Sequence, residues 1–332
     1  GRKMSKSVGN VIVPQDVIKQ YGADIIRLWT ASSDYKADIR ISPKILKQLA
    51  EVYRKIRNTI RYILGNTNDF NYETDAVPFN EMLELDQWAL MHLQLLKKEV
   101  TAAYESYDFH VLYHAIHNFC TVEMSSFYLD IIKDRLYCAD EHARRCAQTA
   151  LYRILVDFTK LVAPILCFTA QEIWSYIPKL EGMQEYVCWE RMPEAKSDED
   201  AAFDAKWAKI IAVRDDVKKV LEQARADKTI GSSLEAAVTL YCSDEMYDFL
   251  NAIPMDELAD LMIVSHVDLV KGEGGVRGLT EGLGMSVAHA AGNKCLRCWK
   301  YEPSVGEDGL CPRCAAGQFP GGTASGTDAS SY

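Results

Sequence analysis

Between Pro43 and Gly65 the apolar residues Ile45, Leu49, Val52, Ile56, Ile60 and Ile63 recur at steps of three and four. That period draws one continuous stripe along an α-helix, and the stripe must be buried against neighbouring elements. The segment opens at Ser42-Pro43 and closes at Gly65-Asn66, a helix-stop signal. The same period predicts three more long helices over about 80–107, 109–135 and 140–162, with Asp108 and Asp140 as N-caps. A shorter helix is expected from Thr169 to Ile177, stopped by Pro178. Long helices joined by short breaks imply an all-α bundle.

The flanking segments differ in kind. Residues 1–42 read as a loop, a helix opened by Pro14 and stopped by Gly22, and a second helix over Ala23–Ala31. Residues 190–202 are small and charged, as in a linker. Beyond them Phe203, Trp207, Ile210, Val217, Leu221 and Ala224 line one side of a predicted helix. Ala236–Cys242 and Leu261–Val270 read as strands around a short helix at Met246–Ala252, which makes a small α/β unit. Gly272–Gly284 is rich in glycine and expected to be flexible, and residues 315–332 are low-complexity and expected to be disordered.

With 332 residues, 48% hydrophobic and 25% charged, the composition is that of a soluble chain of two or three domains and excludes wholesale disorder. No apolar run approaches the roughly 18 residues of a membrane span, and Gly1–Asn10 is basic and polar, unlike a secretory signal. A cytoplasmic chain with no membrane partner is expected. The net charge of −10 argues against a general nucleic-acid binder. The charge is uneven, however. From Ser42 to Asn68 six bases (Lys44, Lys47, Arg54, Lys55, Arg57, Arg61) face one acid, Glu51. Local fields of this kind survive within a screening length of about 8 Å.

Four of the ten cysteines form two close pairs, Cys295-Leu-Arg-Cys298 and Cys311-Pro-Arg-Cys314, twelve residues apart. Two such knuckles place four thiolates around a tetrahedral Zn²⁺ with Zn–S of about 2.3 Å. With all ligands from protein, the site is structural. Lys294, Arg297, Trp299, Lys300, Tyr301 and Arg313 surround it. Bases and exposed aromatics on a rigid knob can stack on nucleotides and meet phosphates; alternatively Trp299 packs beneath the knuckle as a small core. The seven histidines are scattered and define no second metal site.

The first ten residues, Gly1-Arg2-Lys3-Met4-Ser5-Lys6-Ser7-Val8-Gly9-Asn10, place two lysines three apart in a serine- and glycine-bearing loop. Such a loop can surround a polyphosphate with ammonium groups and N–H donors. Followed by Val11, Pro14, Tyr21-Gly22-Ala23-Asp24 and Arg27, it resembles the second ATP-binding signature of class I aminoacyl-tRNA synthetases. Ala31–Tyr35, Asp38–Ser42, Phe127–Asp130, Lys133–Tyr137, Ile230–Ala236 and the cysteine quartet resemble the isoleucyl branch of that family.

The resemblance implies a mainly α architecture in five parts: 1–42, the KMSKS loop and end of a catalytic domain; 43–190, a helical-bundle anticodon-binding domain; 203–271, the small α/β unit; 285–314, a zinc ribbon or knuckle; and 315–332, a tail. It implies ATP (with Mg²⁺), isoleucine and tRNA(Ile) as substrates, one structural zinc, and a monomer. Lys6 becomes the main ATP contact, supported by Lys3, with Ser5 and Ser7 as hydrogen-bond partners. Arg297, Trp299, Lys300 and Arg313 become tRNA contacts. The family's first ATP signature, of the H-x-G-H type, does not occur in these residues. The resemblance therefore implies the C-terminal portion of a longer ligase, inactive alone. The alternatives are a non-catalytic zinc-containing tRNA-binding module and a valyl or leucyl relative.

Overall fold

A computed structural model describes residues 2–196 and 200–316. The expected linker at 190–202 and tail at 315–332 thus lie partly outside the described residues. Two compact units emerge, Gly1–Leu136 with Glu141–Asp204, and Tyr137–Asp140 with Ala205–Tyr332. Among the described residues, no helix is long and apolar enough to cross a membrane.

The first unit is helical. After the N-terminal loop come α1 (Pro14–Tyr21), α2 (Ala23–Ser32), α3 (Pro43–Gly65), α4 (Tyr72–Asp75), α5 (Glu84–Glu105) and α6 (Phe109–Asn118). A π-helical stretch (Phe119–Tyr128), α7 (Leu129–Ile131), α8 (Lys133–Cys138), α9 (Glu141–Val162) and α10 (Cys167–Tyr176) follow. Ser42 caps α3, its hydroxyl accepting from Ile45 N at 3.2 Å. The predicted stripe is largely buried at Leu49, Ile56, Ile60 and Ile63, and Trp88, Leu93, Phe119, Tyr128, Leu151 and Trp174 fill the core around it.

The expected single helix over 109–135 is interrupted. From Phe119 to Tyr128 the backbone widens to π geometry. Such a turn takes in an extra residue and rotates every following side chain on the helix surface. The Ser126 hydroxyl donates to Thr121 O, five residues back, and Ser125 Oγ lies 2.9 Å from Thr59 Oγ1 on α3. Past the stretch, Arg135 turns inward and its guanidinium meets the fully buried Asp86 at 2.9 Å. Tyr128 Oη donates to the same carboxylate at 2.7 Å. Burial pushes the Asp86 carboxyl upward, opposed by Arg135 and Tyr128.

The second unit contains most of α11 (Ala201–Ala226), then β1 (Ala236–Cys242), α12 (Asp244–Asn251), α13 (Met255–Met262), β2 (His266–Lys271), β3 (Val276–Arg277) and β4 (Leu283–His289). The sheet order is β2-β1-β4-β3, with β1–β2 parallel and the other two pairs antiparallel. β5 (Asn293–Lys294), β6 (Tyr301–Glu302) and α14 (Pro312–Ala316) form the cysteine-bearing end. The expected strand over 261–270 is corrected. Leu258, Ala259, Leu261 and Met262 bury one helical face of α13, Ile263 ends that helix at φ 55°, and the strand begins only at His266.

Gly272–Gly284 is not the loose segment its composition suggests, because the glycines permit close packing. At Gly275 (φ +64°) a Cβ would stand 2.3 Å from Met285 O, and at Gly284 2.2 Å from Gly274 O. Asp216 of α11 fastens the same hairpin, its Oδ2 accepting from Thr280 N and Thr280 Oγ1 at 2.8 Å each. Burial works against that carboxylate, but the bonds from Thr280 and Lys219 prevail and hold it below the ordinary range. A depressed folded-state pKa contributes stability above the unfolded value, about 3.9, and loses it as pH falls through the folded value. Asp216→Asn is expected to lower stability by about 1–3 kcal/mol at neutral pH. In urea unfolding at stepwise lower pH, the gap from wild type should narrow below about pH 4.

Candidate phosphate loop and metal centre

The lysine loop has almost no core of its own. Lys3, Met4, Lys6, Ser7 and Val8 are exposed and Ser5 is half-buried. Lys6–Val8 make one 3₁₀ turn, closed by Gly9 at φ 71°. Val8 N and Gly9 N donate to Ser5 O at 3.2 and 3.1 Å. The Ser5 and Ser7 hydroxyls lie 2.7 Å apart, and Asn10 bonds to the backbone at Ser5 and Lys3. Among the described residues neither Lys3 nor Lys6 is ion-paired. The loop therefore presents two ammonium groups and two hydroxyls to solvent, a donor set suited to a polyphosphate.

The helix α2, further along the chain from the loop, is itself firmly anchored. Asp24 is buried at the start of α2, and its carboxylate accepts from Thr169 N at 2.8 Å, Thr169 Oγ1 at 2.6 Å and Phe168 N at 3.4 Å. These N–H groups belong to the first turn of α10, where helices leave donors unsatisfied and favour negative charge. Arg27, one turn on, donates from Nε to Ile165 O at 2.8 Å and from Nη2 to Pro164 O at 2.7 Å. The Tyr-Gly-Ala-Asp…Arg segment is thus a strut joining the loop-bearing helices to the α9–α10 turn. This role was hidden in the sequence because the partners lie about 140 residues away.

In the second unit the Sγ atoms of Cys295, Cys298, Cys311 and Cys314 all lie within 4.8 Å of one another and all four residues are buried. Cys298 Sγ and Cys311 Sγ are 3.9 Å apart. Tetrahedral zinc with bonds of about 2.3 Å requires sulfurs roughly 3.8 Å apart, so the residues fit that metal. Cys311 N donates to Cys295 Sγ at 3.4 Å. Burial raises the Cys295 thiol, but N–H groups of Cys298, Cys311 and Arg297 outweigh it and bring it down to about 6. Burial dominates at Cys298 and Cys314 and pushes both thiols up, so backbone N–H groups tip only Cys295 of these three toward the thiolate, and a bound cation would supply the rest. Cys138, Val305 and Leu310 pack around the cluster.

The four residues picked around the metal separate. Trp299 is 51% exposed, holds φ 65°, and carries the Lys294 ammonium 5.3 Å from its ring centroid. Trp299 is therefore not a core beneath the knuckle. Arg313 is exposed. Arg297 is half-buried and donates from Nη2 to Tyr137 O at 3.2 Å. Lys300 is turned inward, 8% exposed and ion-paired with Asp260. In the helical unit Lys47, Arg54 and Arg61 are exposed, with Arg54 ion-paired to Glu51. Among the described residues the cysteine quartet is the one cluster able to hold a metal; His92 Nδ1 lies 3.1 Å from Glu123 Oε2, with its ring against Trp88.

Among the described residues, the two candidate sites are a basic loop in the helical unit and a four-cysteine knuckle that fits zinc. Three family matches agree: tRNA synthetases class I (I, L, M and V) over residues 1–42, the anticodon-binding domain of tRNA ligase over 86–240, and the zinc finger found in FPG and IleRS over 292–317. The chain is 51% identical over 325 residues to the isoleucine–tRNA ligase of Geobacter sulfurreducens and 50% identical over 326 residues to that of Syntrophotalea carbinolica. In both cases 95% of this chain and 35% of the relative are covered. The isoleucine–tRNA ligase of Moorella thermoacetica is 49% identical over the same shares. The chain is thus similar to isoleucine–tRNA ligases across 95% of its length and spans about a third of the length of these curated relatives.

Metal removal tests the knuckle. Purified protein should carry about one zinc per chain. Chelation, or Cys298→Ser, should release it and expose the backbone amides of 292–316 to hydrogen exchange while those of α5 and α9 stay protected. Unchanged protection at 292–316 after complete zinc loss would show that the knuckle stands without metal.

Proposed function

We propose that this chain is the C-terminal part of an isoleucine–tRNA ligase, supplying the ATP-phosphate loop and the surface that holds the anticodon region of tRNA(Ile). Identity near 50% across 95% of the chain carries the reading. In the complete enzyme the isoleucine carboxylate attacks the α-phosphorus of ATP; the new O–P bond forms as the bond to pyrophosphate breaks. Negative charge grows on the phosphoryl oxygens and the leaving group. Lys6 and Lys3, with Ser5 and Ser7, are the groups of this chain positioned to meet that charge, with Mg²⁺ accompanying ATP. An exposed loop that closes only over the triphosphate favours the transition state over the ground state, which raises rate.

For RNA, the exposed Trp299, with Lys294 over its ring and Arg313 on the same knuckle, offers a stacking face and cations. Lys47, Arg54 and Arg61 can follow a phosphate backbone on the helical unit. Lys300 is held by Asp260 and is not among the proposed contacts. Because the chain spans only 35% of its relatives, the isolated chain is expected to bind tRNA without activating isoleucine.

Two measurements on the complete enzyme separate these roles. Lys6→Ala should slow isoleucine-dependent ATP–pyrophosphate exchange by about 10²- to 10³-fold, as removal of one preorganised charge stabiliser does, with isoleucine affinity nearly unchanged. Wild-type turnover would remove Lys6 from the chemistry. Trp299→Ala combined with Arg313→Glu should raise the KM for tRNA about tenfold, since base stacking is worth about 1–3 kcal/mol, and leave exchange intact. Equal loss in both assays would assign the knuckle to folding alone.

A further inference from the structure

The lysine loop has a built-in brace, and we infer that the Asn10 carboxamide is the positioning residue that sets where Lys3 and Lys6 stand before nucleotide arrives. Asn10 Oδ1 accepts from Ser5 N at 2.8 Å, and Asn10 Nδ2 donates to Lys3 O at 3.2 Å. One side chain therefore ties down both sides of Met4. Ser5 is the centre of the loop: its N–H goes to Asn10, and its carbonyl accepts from Val8 N and Gly9 N. The 3₁₀ turn that carries Lys6 hangs from that carbonyl. Fixing Ser5 fixes the turn.

Little else holds these residues. The turn buries no side chain, and Lys3, Met4, Lys6, Ser7 and Val8 are exposed. Among the described residues Asn10 is the one side chain bonded to the backbone of residues 2–9. The loop's remaining side-chain bond, Ser5 Oγ to Ser7 Oγ, joins two of its own hydroxyls and anchors neither to the fold. Where packing is absent, two hydrogen bonds decide the conformation. Without them the backbone samples many arrangements, and the ordering cost falls on nucleotide binding and on the chemical step after it. Asn10 leads directly into the Val13–Pro14 start of α1, so its own backbone is supported from that side.

The inference rests on the loop's proposed role toward ATP, and its test keeps the two apart. In the complete enzyme, Asn10→Ala is expected to slow isoleucine-dependent pyrophosphate exchange by about 10²-fold, the scale of a displacement of about 1 Å at a reacting centre. Isoleucine affinity should not change. Because Asn10 acts through Lys6, adding Asn10→Ala to Lys6→Ala should cost less than threefold more. Asn10→Asp keeps the acceptor to Ser5 N and loses the donor to Lys3 O, so it should recover part of the rate. Peptide-level hydrogen exchange over residues 2–9 of the same enzyme gives a readout independent of catalysis, and Asn10→Ala should speed it at least tenfold with α1 unchanged. Unchanged exchange at 2–9 overturns the brace whatever the rates show. Faster exchange with additive losses in the double variant overturns positioning of Lys6. If Lys6→Ala alone leaves the rate intact, the loop's role toward ATP fails while hydrogen exchange still decides the brace.

Discussion

One buried carboxylate governs how the two ends of the helical unit relate. Asp24 stands at the start of α2, close behind the lysine loop, yet its partners are the first N–H groups and the Thr169 hydroxyl of α10. A buried acceptor matched to several donors stabilises modestly when complete and costs heavily when broken. Thr169 Oγ1 also meets Tyr53 Oη on α3 at 2.9 Å, which brings the third helix into the same node. Arg27 closes the α9–α10 turn beside it through two carbonyls. Through this node the helix that follows the lysine loop is tied to α10 and, by way of Thr169, to α3.

The second unit solves a different problem. Its sheet has four strands, one of only two residues, and the cysteine-bearing end adds a two-residue pair. Such short pairings cannot hold a projecting knob by burial alone. Four buried cysteine sulfurs gathered at zinc spacing would supply the missing constraint once metal is bound, and backbone N–H groups directed at Cys295 lower the cost of negative sulfur there. Trp299 can then hold a left-handed backbone and remain exposed, a strained and solvent-facing arrangement that rigid surroundings sustain. The bundle uses the reverse strategy, drawing Arg135 inward to Asp86 and Lys97 to Asp157 and leaving Lys47 and Arg61 at the surface.

The parts legible in the sequence are those with local causes. The α3 stripe with its Ser42-Pro43 start and the cysteine spacing each arise from neighbours a few residues away, as helix period, capping and metal geometry require. The lysine loop is legible as a motif, but its brace is not: Asn10 is an ordinary polar residue until its amide is seen to span Lys3 and Ser5. The π-helical stretch escaped because its apolar residues continue a helical-looking pattern while the backbone bonds shift by one. Glycine content misled at Gly272–Gly284, where absent side chains serve contact between backbones and not freedom. Lys300 shows the limit of composition near a site, since only the fold brings Asp260 to it.

We propose that this chain holds the anticodon region of an isoleucine-specific transfer RNA. Nuclease and hydroxyl-radical footprinting of tRNA(Ile) with the zinc-loaded chain, at near-physiological salt, tests it most directly. Protection should concentrate on the anticodon stem and loop. A footprint confined to the acceptor end, or none at saturating protein, would contradict it.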